Sequence, residues 1–332
     1  MLVADYDYDL PSSAIAQTPV EPRDAARLLV DRGPARPPEH GHVRDLPSLL
    51  RPGDLVVVND TRVIPARLPL RRHTGGAAEV LLVDPLDGAG TWQALVRPSA
   101  RLRAGERLDS ADGTAIVEIG DRRDDGTRVV HVLVDDAALA RHGVVPLPPY
   151  ITEPLRDPER YQTVFARRPG SVAAPTAGLH LTEGVLNALA DRGIAVMHVE
   201  LVVGLDTFKP VTVHDPAQHP MHSERYHVTR ETMAACASAE RVVAIGTTTV
   251  RALETVAATG VHSGRTALFV RRPYRWRTVD VLLTNFHLPR TTLLMMIDAF
   301  IGPRWRDLYA AALADGYRFL SFGDAMLLER AA

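Results

Sequence analysis

Two textures of apolar and polar positions alternate along the chain. In the first, buried-looking runs are followed by stretches with apolar residues at helical spacing. "DLVVVND" (54–60) predicts a short buried strand ending in a polar loop. Leu181, Val185, Leu186 and Leu189 fall on roughly one face; Thr182 can cap, Glu183 sits in the first turn and Gly193 follows. That pattern predicts a helix over 182–191. It leads into a strand, "IAVMHVEL" (194–201). "RVVAIG" (241–246) is a strand running into the helix "TTTVRALETVAA" (247–258), and "VDVLLTNF" (279–286) leads to the helix "TTLLMMIDAFIG" and to another near 305–315. Alternating strands and helices predict an α/β domain.

The second texture occupies the window from about Arg62 to Pro146. "AEVLLV", "TWQALVR", "AIVEI" and "RVVHVLV" are short apolar or alternating runs, parted by "TGG", "LDGAG", "RAGE", "ADGT" and "DDGT". Strands at this spacing predict a small antiparallel β-barrel or sandwich. "PLPPY" (146–150) is a stiff exit. The expected organisation is a discontinuous α/β catalytic domain, residues 1–62 plus 147–332, carrying an inserted β-barrel domain, residues 63–146.

Composition narrows this picture. With 332 residues, 46% of them hydrophobic, there is enough chain for a real core in two domains. The net charge of −2 gives no global basic field, so a nucleic-acid partner needs a local patch. A single cysteine, Cys236, excludes an intramolecular disulfide and a zinc knuckle, and reads as a small core residue. The start lacks a basic, then apolar, leader pattern, and the best apolar run is broken by Asp298. A cytoplasmic protein without a membrane partner is expected.

Five stretches could carry chemistry. "DYDYDLP" (5–11) alternates acids with tyrosines and reads either as an edge strand with solvated carboxylates or as a set holding hydroxyls or a cation. Asn59, Asp60, Thr61 and Arg62 follow a buried strand, where open α/β sheets bind ligands, although Asn and Asp also favour plain turns. Arg62, Arg67, Arg71 and Arg72 then come without an acid among them, either facing phosphate or solvating a strand face. In "VAIGTTTVRALE", Gly246, Thr247 and Thr248 open a helix whose N–H groups suit an anion, although threonine capping alone would explain much of it. Neither a P-loop nor a dinucleotide fingerprint is present. His214, His219, His222, Glu224 and His227 crowd one tract, but Pro216 and Pro220 prevent one helix from presenting them to a metal. Finally, His180 and His287 each precede a helix N-terminus, which disfavours imidazolium and leaves a neutral ring able to accept or donate a proton. A structural hydrogen bond is the commoner role of such a histidine.

Together these stretches resemble one family almost end to end, the S-adenosylmethionine:tRNA ribosyltransferase-isomerases of queuosine biosynthesis. "PGDLVVVNDTRVIPARL", "RYQTVFAR", "GSVAAPTAGLHLTEGVL", "MHSERYHV", "AIGTTTVRALE", "TNFHLPRTTLLMMIDAFIG" and "YRFLSFGDAML" follow in the family's order. Departures are Asp206 in "VGLDTF", Leu181 where Phe is usual, and "PRTTL" for the usual Lys-Ser version. The resemblance implies an α/β domain with an inserted barrel. It implies that the ribosyl moiety of S-adenosylmethionine passes to the aminomethyl group of a deazaguanine at the tRNA wobble position. Adenine and methionine leave and epoxyqueuosine results. S-adenosylmethionine is then a consumed substrate, no cofactor is recycled and no metal is needed. The partner is tRNA carrying the deazaguanine precursor.

For such chemistry a neutral base must take a proton made acidic by the sulfonium, and adenine must receive one. His180 is the first candidate, with His287 and His222 as alternates. Glu224 and Asp60 could hold hydroxyls; Gly246, Thr247, Thr248 and Arg251 suit a carboxylate; Asp5 and Asp7 suit a cationic amine. Tyr6, Tyr150, Phe208 and Phe286 offer stacking surfaces. Asn59, Thr61, Arg62, Thr176, Gly178 and Asn285 complete the substrate-side set. tRNA is expected on Arg67, Arg71 and Arg72 and on "RRPYRWR", which contributes Arg271, Arg272, Arg275 and Arg277 with Tyr274 and Trp276 for stacking. Two other classes stay open: a metal-dependent hydrolase built on the 214–227 tract, and a non-catalytic tRNA-binding module.

Overall fold

The structure, a computed structural model, describes residues 1–87, 90–204, 210–221 and 223–331. After a 3-10 turn at Val3–Tyr6 come β1 (Arg27–Asp31), β2 (Glu39–His42), α1 (Leu46–Leu49), β3 (Asp54–Asn59) and the short β4 (Thr61–Val63). Next follow β5 (Arg67–Arg72), β6 (Ala77–Pro85), β7 (Thr91–Arg97), β8 (Arg107–Asp109), β9 (Ala115–Arg122), β10 (Arg128–Val132) and α2 (Asp136–His142). A short β11 (Arg168–Ser171) precedes α3 (Glu183–Asp191), β12 (Ala195–Leu201), β13 (Glu224–His227), α4 (Arg230–Ser238), β14 (Arg241–Ile245) and α5 (Thr247–Thr259). The chain closes with β15 (Ser263–Thr266), β16 (Val281–Asn285), α6 (Thr292–Ile301), α7 (Trp305–Ala314) and β17 (Ala325–Glu329).

These elements form two compact units. One comprises Met1–Arg62, Pro148–Arg168 and Ala174–Ala332; the other comprises Val63–Leu147 and Pro169–Ala173. The second unit holds a closed antiparallel barrel, in the order β10-β7-β6-β5-β8-β9. Its strands alternate as a barrel wall must: in β5, Leu68 and Leu70 are buried while Pro69 and Arg71 face out. The arginines of β5 therefore hid a barrel strand that apolar content alone did not announce.

The first unit is built on a nine-stranded sheet, in the order β15-β13-β12-β3-β14-β16-β17-β1-β2. β12, β3, β14 and β16 run parallel at its centre. β3 is buried at every position and β16 likewise, as a strand covered on both faces requires. Val56, Val58, Val243 and Leu283 on the sheet pack with Leu181, Val185 and Leu189 around α3. β1 and β17, which the sequence reading did not identify, pair in parallel with Leu28 opposite Ala325. Only tertiary pairing makes these short runs strands. The first acidic stretch is not an edge strand either: the Asp5 carboxylate accepts the Leu2 N–H at 2.7 Å and folds the segment into its 3-10 turn.

Two buried carboxylates anchor the loops around the sheet. Glu254 of α5 is fully buried and accepts the main-chain N–H groups of Arg277, Thr278 and Val279, at 2.9 to 3.3 Å, and the Tyr274 hydroxyl. Asp298 of α6, equally buried, accepts two bonds from Arg272 at 2.7 and 3.0 Å, one from Trp305 Nε1 and one from Tyr6. Replacing Glu254 by Ala leaves the three N–H groups without an acceptor. At about 1–3 kcal/mol for each unsatisfied buried group, the variant should lose roughly 3 kcal/mol or more of unfolding free energy. Urea unfolding checks this; a variant as stable as the wild type would show that the 277–279 turn does not depend on that carboxylate.

Candidate functional site

A pocket opens beyond the carboxyl ends of β14 and β16, lined among others by Thr176, Thr247, Thr248, Asn285, His287 and Ser321. That is where an open α/β sheet offers its ligand crevice. Gly246 makes the turn from β14 into α5 with φ +88°, a left-handed conformation that favours glycine. α3, α4 and α6 are each capped by a threonine side chain, Thr182, Thr229 and Thr291. α5 has no side-chain cap although it starts with three threonines. Thr249 turns inward to the Ile245 carbonyl (2.7 Å), and Thr248 accepts from Asn59 Nδ2 (3.3 Å). The first N–H groups of α5 thus face the pocket without a side-chain acceptor, a setting that suits an anion.

Asn285, in the pocket wall, meets His180 behind it. Asn285 Nδ2 donates to His180 Nε2 at 2.9 Å, and Asn285 Oδ1 accepts from the Thr176 hydroxyl at 3.0 Å. With Nε2 as acceptor, the single proton of the neutral ring sits on Nδ1. Burial pushes the His180 basicity down to about 4, and the positive charges of Arg318, Arg160 and Arg23 push the same way. His180 does not line the pocket itself; it is linked to it through Asn285, which does.

His287 lines the pocket directly. Two tyrosines fix its backbone: its N–H donates to the Tyr309 hydroxyl (3.0 Å), and its carbonyl accepts from the Tyr8 hydroxyl (2.5 Å). Its Nε2 lies 3.0 Å from the Thr284 hydroxyl. Burial lowers its basicity to about 3, so the ring is neutral at pH 7. Thr284, Thr291, Leu320 and Ser321 also line the pocket; none of the four is among the expected site residues. Nothing local marks Leu320, a non-glycine residue with a φ of +69°. Tyr150 lines it as well, its hydroxyl 2.7 Å from Ser321 Oγ.

Other candidates are held elsewhere. Asn59 and Asp60 leave the strand end on opposite sides, as successive strand residues do. Asn59 clamps the Leu201 carbonyl (2.9 Å); Asp60 is buried with Arg168 Nε 3.9 Å away, and burial raises its carboxyl above the usual range. Thr61 reaches the Leu201 carbonyl, and Arg62 pairs with Glu159 at 2.5 Å. Glu224 and Arg251, read as separate ligands, form a buried ion pair with each other. Arg251 also donates to the carbonyls of Leu268 and Thr266. Asp7 pairs with Arg290, and Asp5 caps its own turn. Gly178 serves close packing: a Cβ there would stand 2.8 Å from the Phe165 ring. Phe286 lines the pocket, but its ring stacks on Phe319 with centroids 4.5 Å apart. His222 and Phe208, and Asp206 beside the latter, lie outside the described residues. Among the described residues no three His, Cys, Asp or Glu side chains converge as a metal site would need.

Acid-free in sequence, the arginine clusters are partly neutralised in space. Arg72 binds Glu106 at 2.6 Å, Arg67 lies 3.7 Å from Glu79, and Arg272 is committed to buried Asp298. Arg277 donates to the Arg275 carbonyl, and Arg271 lies over the Phe269 ring. Arg71, Arg271 and Arg275 form no ion pair among the described residues. Tyr274 and Trp276, expected as stacking surfaces, are tied by polar atoms to Glu254 and to the Ala299 carbonyl. Arg62, Arg72 and Arg272, expected to face phosphate, thus have carboxylate partners that are remote in sequence.

Known proteins give this site a context. A family model described as "Queuosine biosynthesis protein" matches residues 3–328. A protein of Symbiobacterium thermophilum named S-adenosylmethionine:tRNA ribosyltransferase-isomerase is 50% identical, covering 99% of this chain and 100% of its own length. One of Moorella thermoacetica with the same name is 48% identical over the same shares of each chain. The crystal structure of an S-adenosylmethionine tRNA ribosyltransferase from Thermotoga maritima is similar with a TM-score of 0.56 and 36% identity, covering 97% of this chain and 99% of that one.

The depressed histidines carry a pH signature. Unfolded, both rings take up a proton below about pH 6.5; folded, they resist until about pH 4 for His180 and about pH 3 for His287. In that window the unfolded chain binds more protons, so stability falls as pH drops through it and is unaffected by these rings above it. A His287→Gln variant should show a shallower decline of unfolding free energy between about pH 6.5 and 4 than the wild type. Equal slopes in urea titrations would show that His287 is not buried neutral.

Proposed function

The chain belongs to the queuosine biosynthesis protein family, and from that premise we propose that it is an S-adenosylmethionine:tRNA ribosyltransferase-isomerase working in the pocket beyond β14 and β16. The full-length kinship with proteins of that name carries the reading. S-adenosylmethionine is consumed as the ribosyl donor. The acceptor is the aminomethyl group of a 7-deazaguanine at the wobble position of tRNA, and epoxyqueuosine, adenine and methionine are the products.

The sulfonium makes the neighbouring ribose protons acidic, and removal of one starts the collapse that expels adenine. A neutral base facing the substrate is needed for that step. His287 fits: it lines the pocket, its backbone is fixed on both sides, and burial keeps it neutral. His180 acts through Asn285, holding the carboxamide so that Thr176 and Asn285 present fixed polar groups to the ribose. The uncapped start of α5, at Gly246 to Thr248, receives the methionine carboxylate on main-chain N–H groups. The sulfonium already supplies the activation a Lewis acid would give, so no metal is required.

Incubation of S-adenosylmethionine with tRNA bearing the deazaguanine precursor tests the reaction, read as released adenine and by nucleoside mass spectrometry. Epoxyqueuosine in the tRNA is the expected product; its absence under turnover conditions would overturn the reading. His287→Gln should cut turnover by roughly two orders of magnitude, typical for a lost acid–base group, with little change in S-adenosylmethionine affinity. His180→Ala should also lower turnover without moving the pH profile, since the ring does not itself carry the proton. A chelator should leave activity intact, whereas loss of activity together with stoichiometric zinc would revive a metal-based mechanism.

A further inference from the structure

Three guanidinium groups converge on the segment from Thr18 to Arg23. Arg318 donates to the carbonyls of Thr18 (3.1 Å) and Phe322 (3.0 Å). Arg160 donates to the carbonyl of Val20 (2.9 Å), with its Nε 2.5 Å from Glu21. Arg23 donates to the carbonyls of Gln162 (2.5 Å) and Glu159 (2.9 Å). Arg23 and Arg318 are thus held by neutral main-chain carbonyls, and neither forms an ion pair among the described residues. Carbonyls fix the direction of a guanidinium without cancelling its charge.

The acids near this cluster are engaged at its rim. Glu21 is taken by Arg160, Glu159 by Arg62, and Asp157 caps the turn at Pro158–Tyr161. Burial first, and then the charge of Arg160, lower the basicity of Arg23, while the carboxylates of Glu21, Asp157 and Glu159 act in the opposite direction. Of these carboxylates, Glu21 and Glu159 pair with Arg160 and Arg62, and the Arg23 and Arg318 guanidiniums keep main-chain carbonyls as their partners. The cluster adjoins the pocket: Phe322 follows Ser321 in its wall, and Gln17, next to Thr18, donates to the Tyr150 carbonyl at 2.9 Å.

We infer that Arg23, Arg160 and Arg318 form a phosphate-binding patch beside the pocket, on which the backbone of the tRNA docks next to the base being modified, an assignment that rests on the tRNA-modifying function proposed above. The forked donors of arginine match phosphate oxygens, and a docked backbone would deliver its base to the neighbouring pocket. The carboxylate of S-adenosylmethionine shares part of this chemistry and is distinguished by the test.

The test compares wild type with Arg160→Gln, Arg318→Gln and Glu21→Gln, measuring tRNA affinity across a salt series and S-adenosylmethionine affinity by calorimetry. Each arginine variant should bind tRNA about tenfold more weakly at low salt, with the slope of log affinity against log salt reduced by about 0.7–0.9. S-adenosylmethionine affinity should stay within twofold of wild type. Glu21→Gln removes an exposed carboxylate, 67% accessible, and should strengthen tRNA binding a few-fold. It guards against the case in which the arginine variants fail to fold, because its expected effect has the opposite sign. Folded arginine variants with wild-type tRNA affinity and salt slope, or no strengthening in Glu21→Gln, would overturn the patch. Loss of S-adenosylmethionine affinity with tRNA binding intact would overturn it too, by giving the patch to the methionine carboxylate. A wild-type protein that neither binds nor modifies tRNA would instead overturn the proposed function, a failure visible before any variant is made.

Discussion

The hydrogen bond from Asn285 to His180 is the joint on which the site depends. It ties the end of β16 to the turn at Thr176–His180, segments 105 residues apart in the chain. Asn285 can keep this orientation because both ends of its carboxamide are engaged, the oxygen by Thr176 and the nitrogen by His180. In a buried setting such a chain is stiff, and leaving any member unpaired is costly. It also fixes the chemistry of His180, which must stay neutral to accept the bond. The structural and chemical demands on that ring are therefore the same demand.

Around this joint the sheet does the positioning. Central strands buried on both faces leave polar side chains only at their ends, and β14 and β16 end side by side at the pocket. β14 runs through Gly246 into an uncapped helix, and β16 runs through Asn285 and Phe286 into His287. The aromatic group of Phe286, Tyr309, Tyr317 and Phe319 packs behind this second turn. Charge is managed separately, by pairs that neutralise buried carboxylates, such as Glu224 with Arg251 and Asp298 with Arg272.

Much of this was legible in the sequence. The helices at 183–191 and 292–301 follow from periodicity and threonine caps, the one at 247–259 from the strand, glycine and apolar spacing before and along it, and the barrel from evenly spaced short runs. His180 and His287 stood out because each precedes a helix. What stayed hidden depends on partners far along the chain. β1 and β17 become strands only by pairing with each other and their neighbours. Arg272 looked free because Asp298 lies 26 residues on, and Glu224 and Arg251 looked like two ligands rather than one pair. Leu320 and Ser321 reach the pocket by a backbone conformation that no pattern announces.

The central claim is that two neutral histidines, one at the pocket surface and one behind Asn285, organise the substrate site. Imidazole nitrogen NMR of histidine-labelled protein tests it most directly, with spectra taken at about pH 5.5, below the ordinary histidine midpoint, before and after addition of S-adenosylmethionine. Two rings, assigned by the His180→Gln and His287→Gln variants, should remain neutral, with the His180 proton on Nδ1, and the His287 resonances should shift when the ligand binds. Protonated signals for either ring at that pH, or His287 resonances unmoved by saturating ligand, would contradict the account.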